Sequence, residues 1–367
     1  MAGADDHRFM ARAVELAHGG LYTADPNPRV GCVIVDGGGA IVGEGFHARA
    51  GEGHAEVNAL HQAGSRAAGG AAYVTLEPCC HHGRTPPCVD ALLEAGVQQV
   101  VYAMDDPNPQ VAGEGRERLE AAGVRVQSGV MAAEAAALNP GYILRQAEQR
   151  PLVRLKLAVS LDGKTALANG ASQWITGSDA RADVHRWRAR SSVVLTGSGT
   201  AKADDPALDA RLEAQHDVAI TQPACVIVDT HLGLGSDARV FGTGNSVVVA
   251  HASESGSKSQ ALLEAGADLC KLPSASAGVD LKALIKELAR REFNEIWVEA
   301  GPILSGAFMA AGLIDELVLY QAGSVLGDKA RGMFMLPELT TMDARYNFNL
   351  LDVRQVGNDL RLHYASS

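Results

Sequence analysis

Two short stretches of the chain contain residue types that bind a transition metal and move protons. His54 and Glu56 belong to H-A-E-V-N-A-L, and Cys79 and Cys88 belong to T-L-E-P-C-C-H-H-G-R-T-P-P-C. One imidazole and two thiolates suit tetrahedral zinc, and three protein ligands leave a fourth position for water, as in catalytic sites. Zinc lowers the pKa of such a water to about 7. Because Glu56 lies two residues from a ligand without being one, the sequence predicts that it carries protons in a hydrolytic reaction.

The spacing of the ligands leaves two interpretations open. A His-x-Glu sequence followed by Pro-Cys and a further Cys is the arrangement of zinc nucleobase deaminases, although the nucleic-acid deaminases have two residues between the cysteines. Here eight residues separate Cys79 from Cys88. The alternative is a closed structural zinc site, which needs a fourth protein ligand that Cys80, His81 or His82 could supply.

Local sequence predicts the elements that hold these ligands. Residues 71–76 form a short apolar run, so we expect a strand that leads to Cys79. The Pro-Pro pair before Cys88 predicts a helix with this cysteine in its first turn, because proline fits that turn. A second helix is predicted over 54–64. Two helix N-termini therefore face the site, and such a position favours the thiolate form of a cysteine.

The rest of the first half alternates strand and helix patterns, which predicts a parallel or mixed sheet covered on both faces. We expect strands over 30–35, 41–45, 97–104 and 124–126, and helices over 6–18, 115–122 and 131–138. Asn-Pro-Gly at 139–141 is expected to break the last of these helices. At 367 residues two domains are expected, and the change of pattern places them at 1–148 and 149–367.

Composition excludes several classes of partner. The net charge is −11, and residues 1–150 contain eleven Arg, no Lys and eighteen acidic residues, a net of −7. Nucleic-acid binding depends on cationic contacts with phosphates, so a small-molecule partner is favoured and no nucleic acid is expected. No apolar run approaches the roughly 20 residues that span a bilayer, so we expect no membrane segment. Six cysteines in a chain of this length do not form a disulfide framework, and reduced thiols in the cytoplasm are expected.

The second half has its own strand and helix patterns. A strand over 152–164 carries Lys156, and an Arg-rich helix is predicted over 181–190. A strand over 296–300 runs into Gly301-Pro302 and a helix over 303–311, a combination that can seat a phosphate at the helix N-terminus. G-S-G-T-A-K at 197–202 lacks the third glycine of the dinucleotide-binding fingerprint, so these residues predict an α/β domain that is not a Rossmann domain.

Together these motifs resemble a known family. With P-N-P-R-V-G and D-D-P-N-P-Q-V-A-G, the zinc motifs resemble the deaminase half of the bifunctional riboflavin-biosynthesis deaminase/reductases. L-K-L-A-V-S-L-D-G-K, S-Q-W-I-T, L-T-G-S-G-T-A-K-A-D-D-P-A-L and W-V-E-A-G-P resemble the reductase half. The resemblance covers nearly the whole chain. Cys80 stands where the family is expected to have serine.

The resemblance implies a fold class, two activities and their cofactors. It implies a cytidine-deaminase-like α/β/α domain followed by a dihydrofolate-reductase-like α/β domain. The first would bind one zinc ion and remove an amino group from a small phosphoribosylaminopyrimidine by hydrolysis, with Glu56 moving the protons. The second would use NADPH to reduce the ribosyl group to ribityl. We also expect a homo-oligomer.

The resemblance also assigns residues by position. In the deaminase half, Asn27 would read the pyrimidine edge, the alternative being an Asx turn in a Pro-rich loop. In the reductase half, the cofactor positions are Ala158, Trp174, Thr200, Asp204, Thr230, Gly301, Pro302, Ile303, Leu304, Ser305, Gly306 and Ala307. The substrate positions are Ser172, Arg188, Leu208, Arg211 and Glu299.

Three of the charged residues have further expectations attached. Arg188 and Arg211 would bind a ribose 5-phosphate, because guanidinium groups match phosphate oxygens; the alternative for Arg188 is a solvated helix face. Lys156 would be catalytic, helping to position the ribosyl group, and paired with Asp204 or Glu299 in a buried cluster. The alternative is that Lys156 extends to solvent from an edge strand.

Two other functions remain to be weighed. A nucleic-acid-editing deaminase with an accessory domain would require a basic face, which the composition does not support. A non-catalytic scaffold stabilised by zinc would require a fourth protein ligand and would leave Glu56 without a role.

Overall fold

The chain forms two compact units, Met1–Arg150 and Pro151–Ser367, in a computed structural model. The structure describes residues 3–81, 86–109, 112–212, 220–254, 256–275 and 278–367. His82, one of the candidates for a fourth zinc ligand, lies outside the described residues. Among the described helices, none combines the length and the apolar composition that a membrane span needs.

The first unit is a mixed five-stranded sheet with helices on both faces. Its strands are β1 Gly31–Val35, β2 Ile41–Phe46, β3 Ala71–Val74, β4 Gln99–Tyr102 and β5 Arg125–Ser128. Its helices are α1 Ala4–Ala17, α2 Ala55–Ala63, α3 Cys88–Glu94, α4 Glu114–Ala121, α5 Ala132–Leu138 and α6 Pro140–Glu148. The strand order is β2-β1-β3-β4-β5, with β1 antiparallel to both neighbours and β3, β4 and β5 parallel. The mixed sheet that the sequence predicts is therefore present.

Strand β1 shows why both faces of this sheet are covered. All five of its residues are buried. Cys32 and Ile34 belong to the apolar cluster that includes α2 and α3, whereas Val33 and Val35 belong to the cluster that includes α1. Since successive side chains of a strand point to opposite faces, a strand that is apolar throughout needs a helix on each side.

Two glycines of β2 allow α2 to approach the sheet closely. A Cβ on Gly43 would lie 2.1 Å from the carbonyl oxygen of Ala59, and a Cβ on Gly45 would lie 2.5 Å from that of Ala55. Ordinary side chains would collide with the helix backbone at these distances. The depth at which α2 sits, and with it the place of His54 at the start of this helix, therefore depends on these glycines.

The Asn-Pro-Gly sequence breaks the helix as predicted, but a second helix follows it directly. It ends α5 at Leu138, but α6 begins at once with Pro140, because proline is accommodated in a first helical turn. Asn139, between the two helices, accepts from the backbone N–H of Arg29 at 2.7 Å and donates to its carbonyl at 2.9 Å. The residue between the two helices thus holds the backbone of Arg29, just before β1.

The second unit is built on a nine-stranded sheet. The strands of the whole unit are β6 Leu152–Val159, β7 Lys164–Ala166, β8 Val193–Gly197, β9 Ala224–Val228, β10 Val247–His251, β11 Ala267–Lys271, β12 Ser274–Ala275, β13 Gly278–Val279, β14 Glu295–Glu299, β15 Glu316–Gln321, β16 Arg331–Gly332, β17 Phe348–Val356 and β18 Asp359–Ser366. Its helices are α7 Ser178–Arg190, α8 Ser198–Asp204, α9 Ser257–Glu264, α10 Leu281–Arg290 and α11 Pro302–Ala310. The order in the large sheet is β11-β10-β9-β8-β14-β6-β15-β18-β17.

The strands from β11 to β15 in this order are parallel, and β18 and β17 continue the sheet in antiparallel fashion. Strand β6 lies between β14 and β15, so Lys156 is on an interior strand. The alternative, in which Lys156 extends to solvent from an edge strand, is therefore excluded. The parallel strands end at one edge of the sheet, the place where open α/β sheets bind ligands.

One face of the large sheet carries a buried network of ion pairs beneath α7. Arg154 donates to Glu295 and Glu316, and Arg190 also pairs with Glu295 at 3.2 Å. Trp187 of α7 stacks on Trp297 of β14, with ring centroids 5.3 Å apart. Buried charges are tolerated only when they are paired and hydrogen-bonded. This network fixes α7 against the strands whose ends form the site described next.

Candidate active sites

The predicted zinc ligands lie together in the first unit. His54 Nδ1 is 3.2 Å from Cys88 Sγ and 3.6 Å from Cys79 Sγ, and all three ligand atoms lie within 4.8 Å of one another. In a tetrahedral zinc site with Zn–S near 2.3 Å and Zn–N near 2.0 Å, the N–S separation is about 3.5 Å. The donor set and its spacing therefore fit zinc.

Three elements bring these ligands together. His54 is the N-cap of α2, Cys88 is the first residue of α3, and Cys79 follows β3 in the loop. The backbone N–H of Cys88 donates to Cys79 Sγ at 3.4 Å. Hydrogen bonds from Cys88 and His54 lower the pKa of the Cys79 thiol, which favours the thiolate that binds a metal.

The described neighbours provide no fourth ligand. Among residues 3–81 and 86–109, the cluster contains His54, Cys79 and Cys88 and neither Cys80 nor His81. Cys80 instead directs its thiol to Glu114 Oε2 at 3.5 Å. Within the part of the chain that the structure describes, the closed structural site is therefore not formed.

Glu56 is buried beside these ligands in the first turn of α2. Burial, followed by the nearby Cys79, raises its pKa to about 6. A carboxyl group with a pKa near the working pH can both accept and release a proton. The arrangement suits a group that carries protons next to a metal-activated water.

Asn27 lies next to a histidine that the sequence did not single out. Its Nδ2 is 3.0 Å from Nε2 of His47, whose Nδ1 is 3.2 Å from the carbonyl oxygen of Gly53. Since a carbonyl only accepts, Nδ1 carries the hydrogen and Nε2 accepts from the Asn27 amide. The His47 ring also contacts that of His54 edge-on at 5.1 Å. His47 thus fixes the Asn27 side chain close to the metal ligands.

A second unpredicted group surrounds Asp106. Its carboxylate accepts from Tyr142 at 3.0 Å and from the backbone N–H of Asn108 at 2.9 Å, and burial raises its pKa to about 6. Glu77, two residues before Cys79, accepts from the backbone of Asp106 and of the start of α4. Sequence spacing gave no signal for this group, because Tyr142 lies 36 residues from Asp106.

In the second unit, Lys156 lies in a largely buried charged cluster with Glu299. Its Nζ is 3.9 Å from Glu299 Oε2. Arg188 donates to both oxygens of Glu299 at 2.6 and 2.9 Å, and the Trp297 indole donates to Oε1 at 2.9 Å. Burial alone would raise the pKa of Glu299, but Arg188 and Lys156 lower it to about 2. Burial also lowers the pKa of Lys156.

One expectation about this cluster needs correction, and one alternative is excluded. Asp204 is exposed at the end of α8, so it does not belong to the buried cluster and the partner of Lys156 is Glu299. Arg188 is not on a solvated helix face: its side chain is 12% exposed, and its third donor reaches the carbonyl oxygen of Asp209 at 3.0 Å.

The residues assigned to the cofactor lie mostly where neighbouring parallel strands end. Thr200 is in α8 after β8, Thr230 follows β9, and Gly301 follows β14 and caps α11. The Gly301 N–H donates to Thr200 Oγ1 at 3.2 Å, which joins the two helix starts. Ala158 lies in β6, the next strand in the sheet. This placement fits a dinucleotide crossing the strand ends.

The remaining assigned residues differ in exposure. Trp174 is 69% exposed, and Arg181 lies over its ring at 4.4 Å. Ser172 is half-buried in the same loop. Leu208 is buried, and Arg211 is exposed next to His185. Pro302 to Ala307 form the first turns of α11, where Ile303 is exposed and Ser305 is buried.

Comparison with known proteins assigns each of the two units to a family. Residues 4–104 match the family described as cytidine and deoxycytidylate deaminase zinc-binding region, and residues 151–362 match the RibD C-terminal domain. The chain is 46% identical to riboflavin biosynthesis protein RibD of Escherichia coli over 99% of this chain and 100% of that one. It is 45% identical to the Haemophilus influenzae protein of the same name, over 97% and 96%.

Solved structures agree with this placement over the full length. RibD of Acinetobacter baumannii, form 1, is 44% identical and superposes with a TM-score of 0.93, covering 99% of both chains. The Thermotoga maritima diaminohydroxyphosphoribosylaminopyrimidine deaminase/5-amino-6-(5-phosphoribosylamino)uracil reductase is 32% identical, with a TM-score of 0.85 and 99% coverage of both. The fold class and the family resemblance deduced from the sequence are thereby confirmed. The chain belongs to the RibD family of bifunctional riboflavin-biosynthesis enzymes, with a zinc-dependent deaminase unit followed by an NADPH-dependent reductase unit.

Proposed function

We propose that the first unit hydrolytically deaminates 2,5-diamino-6-ribosylamino-4(3H)-pyrimidinone 5′-phosphate and that the second reduces the ribosyl group of the product to ribityl. The observation that carries this proposal is the presence of two separate constellations, His54, Cys79 and Cys88 with Glu56 in one unit and Lys156 with Glu299 in the other. The Thermotoga maritima relative, whose name states both activities, matches 99% of this chain.

In the deaminase unit, His54, Cys79 and Cys88 hold the metal. Zinc, when bound, acidifies a coordinated water at neutral pH. Glu56 accepts the proton from this water and passes it to the ring nitrogen of the pyrimidine. It then takes the proton of the hydroxyl group added to the ring carbon and gives it to the departing amine, so that the carbonyl forms as the C–N bond breaks. Its burial in the first turn of α2, beside the metal ligands, supports this role. Asn27, oriented by His47, presents its Oδ1 to a donor on the pyrimidine edge.

In the reductase unit, the protein positions the ribosyl group and the cofactor. When bound, NADPH would supply a hydride to C1′ of the sugar, whose bond to the ring oxygen breaks as that oxygen takes up a proton. Lys156 donates a hydrogen bond to a ribosyl oxygen, and Glu299 holds the lysine in place while Arg188 holds Glu299. Arg211, which is exposed, binds the 5′-phosphate. The strand ends that carry Thr200, Thr230 and Gly301 bind the dinucleotide.

We further propose that the enzyme works in the cytoplasm and as a homo-oligomer. All six cysteines are free, which suits a reducing compartment. Strand β17 is the edge of the large sheet and exposes Leu350, Leu351 and Val353, a pattern typical of an edge that another copy covers. Light scattering should give a mass above that of one 38.3 kDa chain. A monomer at micromolar concentration would contradict the oligomer.

Product analysis tests the main proposal. Zinc-loaded enzyme should release ammonia from the aminopyrimidine nucleotide and none from RNA, and it should oxidise NADPH only when the deaminated intermediate is present. Deamination of RNA, or of neither substrate, would contradict the deaminase assignment. Failure to oxidise NADPH with the authentic intermediate would contradict the reductase assignment.

A further inference from the structure

Both ring nitrogens of His185 lie against donors of one residue, Arg211. Nδ1 accepts from the backbone N–H of Arg211 at 3.1 Å. Nε2 lies 3.3 Å from Nη2 of the Arg211 guanidinium. A neutral imidazole has one acceptor nitrogen and one N–H, and an imidazolium has two N–H groups. Because Nδ1 is the acceptor, Nε2 carries the hydrogen, so the contact between Nε2 and Nη2 brings two donors together.

An acceptor that both donors can reach would relieve this contact. The guanidinium keeps its protons at any pH that a protein experiences, so its Nη2 cannot become the acceptor. An anionic oxygen beside the Nε2–H and Nη2–H groups would accept from both. Phosphate oxygens suit this arrangement, because charge-assisted bonds from arginine to phosphate are strong and directional.

None of the charged groups described around His185 supplies an acceptor to both the Nε2–H and the Nη2–H group. Arg188 of α7 and Glu299 of β14 are bound to each other. Asp209 Oδ1 lies 3.5 Å from Arg211 Nε and makes no hydrogen bond. Burial, then Arg188 and Arg211, lower the pKa of His185, so the ring is neutral near pH 7. The two arginines and the two carboxylates balance in charge. The anion would therefore be bound by the orientation of the N–H donors rather than by a net positive charge.

We propose that His185 is a further binding residue of the reductase site. Its Nε2–H group and the Arg211 guanidinium together bind a phosphate monoester, which is the 5′-phosphate of the ribosyl intermediate. This inference rests on the proposed function, which gives Arg211 to that phosphate. His185 lies on α7, one turn before Arg188, so helix geometry places it on the side of α7 that faces Glu299. The cofactor also carries a phosphate monoester, and the kinetics must separate the two.

Substitutions of His185 test the role of Nε2. In His185→Asn the amide can still accept from the Arg211 backbone, but nothing replaces the Nε2–H. We expect the KM for the phosphorylated intermediate to rise about tenfold, the effect of losing one hydrogen bond to a charged group. The KM for the dephosphorylated intermediate and for NADPH should not change. His185→Gln, whose longer amide places an N–H near the Nε2 position, should restore much of the affinity.

A matched control is available on the same helix. Arg186→Ala removes a cation next in sequence whose side chain is 63% exposed, and it should leave all three KM values unchanged. If His185→Asn raises the KM for both intermediates equally, the effect is not on the phosphate and the inference is overturned. If only the KM for NADPH rises, the ligand is the cofactor phosphate and the assignment to substrate is overturned.

Arg211→Ala separates the inference from the function on which it rests. If this change raises the KM for the phosphorylated intermediate while His185→Asn does not, His185 has no part in binding and the proposed function stands. If neither change affects it, the phosphate lies elsewhere and the placement of Arg211 also fails. Nitrogen NMR of the histidines in the unaltered full-length enzyme avoids any folding defect. Inorganic phosphate should shift the His185 Nε2 signal, and an unmoved signal at saturation contradicts the contact.

Discussion

Glu56 is the residue on which deamination should depend most. Glu56→Gln keeps the size of the side chain but cannot carry a proton, so we expect ammonia release to fall by at least about 10²-fold. Zinc content should remain near one ion per chain, because the ligands are His54, Cys79 and Cys88. Ammonia release and metal analysis on the same preparation check this.

Two controls make the Glu56 result specific. Glu52→Gln changes an exposed carboxylate four residues earlier and should leave ammonia release unchanged. NADPH oxidation by Glu56→Gln, supplied with the deaminated intermediate, should also be retained. Appreciable ammonia release by Glu56→Gln would contradict the assigned role, and loss of zinc would show that the substitution disturbs the ligands.

Lys156 should be the corresponding residue in the reductase unit. Lys156→Ala removes a buried ammonium, so Glu299 keeps its bonds to Arg188 and Trp297 but nothing donates to the ribosyl group. We expect kcat for NADPH oxidation to fall by at least about 10²-fold, because the positioning and polarising of a reacting group is lost. Steady-state kinetics with the deaminated intermediate measure this.

The control for Lys156 is a lysine of the same unit outside the cluster. Lys286→Ala, on the exposed side of α10, should leave reduction unchanged. Ammonia release by both variants should match the parent enzyme, since the zinc ligands are in the first unit. Near-normal NADPH turnover by Lys156→Ala would rule out its catalytic placement.

Individual site residues were predictable from the sequence to different degrees. His54, Glu56, Cys79 and Cys88 were, because zinc chemistry restricts residue types and spacing. The binding of Arg188 to Glu299 was not, because 111 residues separate them and only the folded sheet brings them together. His185 also gave no signal, since a single histidine on a helix has no spacing that marks it as a ligand.

At the scale of elements, Gly45 should control the position of α2. A Cβ added there would lie 2.5 Å from Ala55 O and Ala59 N, so Gly45→Ala must push the helix away from β2. We expect a loss of about 1–3 kcal/mol in the free energy of unfolding from overpacking. Since His54 caps this helix, zinc should also pass more readily to a chelator. Thermal unfolding and competition with a coloured chelator measure the two effects.

The same hairpin supplies a control for Gly45. A Cβ on Gly37 would lie 3.8 Å from its nearest neighbour, Gly69 O, which is an ordinary contact. Gly37→Ala should therefore leave both stability and zinc retention close to those of the parent. Equal effects of the two substitutions would show that the hairpin, rather than the approach of α2, is what matters.

The order of strands and helices was largely predictable, whereas their pairing was not. Apolar runs marked β1, β3 and β14 because buried strands need such runs. The helix α8 was missed: G-S-G-T-A-K looks like a loop, yet it starts a helix because Gly197 caps it and Thr200 binds the neighbouring turn. Exposed β17 has little apolar pattern of its own and depends on pairing with β18.

At the scale of the whole molecule, a fragment of residues 1–150 should fold and deaminate. The zinc ligands, Glu56 and the groups that orient Asn27 all precede Pro151, the start of the second unit. We expect about one zinc per fragment and ammonia release within a few-fold of the full chain. Metal analysis and ammonia assays test this, and an insoluble or inactive fragment would show that the first unit needs the second.

All three tryptophans, Trp174, Trp187 and Trp297, lie in the second unit. Emission excited at the red edge of the indole band therefore comes only from the reductase, although the chain has two units. Trp187 and Trp297 stack with planes 4° apart, and the guanidinium groups of Arg154, Arg190 and Arg361 surround the Trp187 ring. The molecule thus carries a built-in fluorophore pair that follows melting of one unit, while the other unfolds without an indole signal.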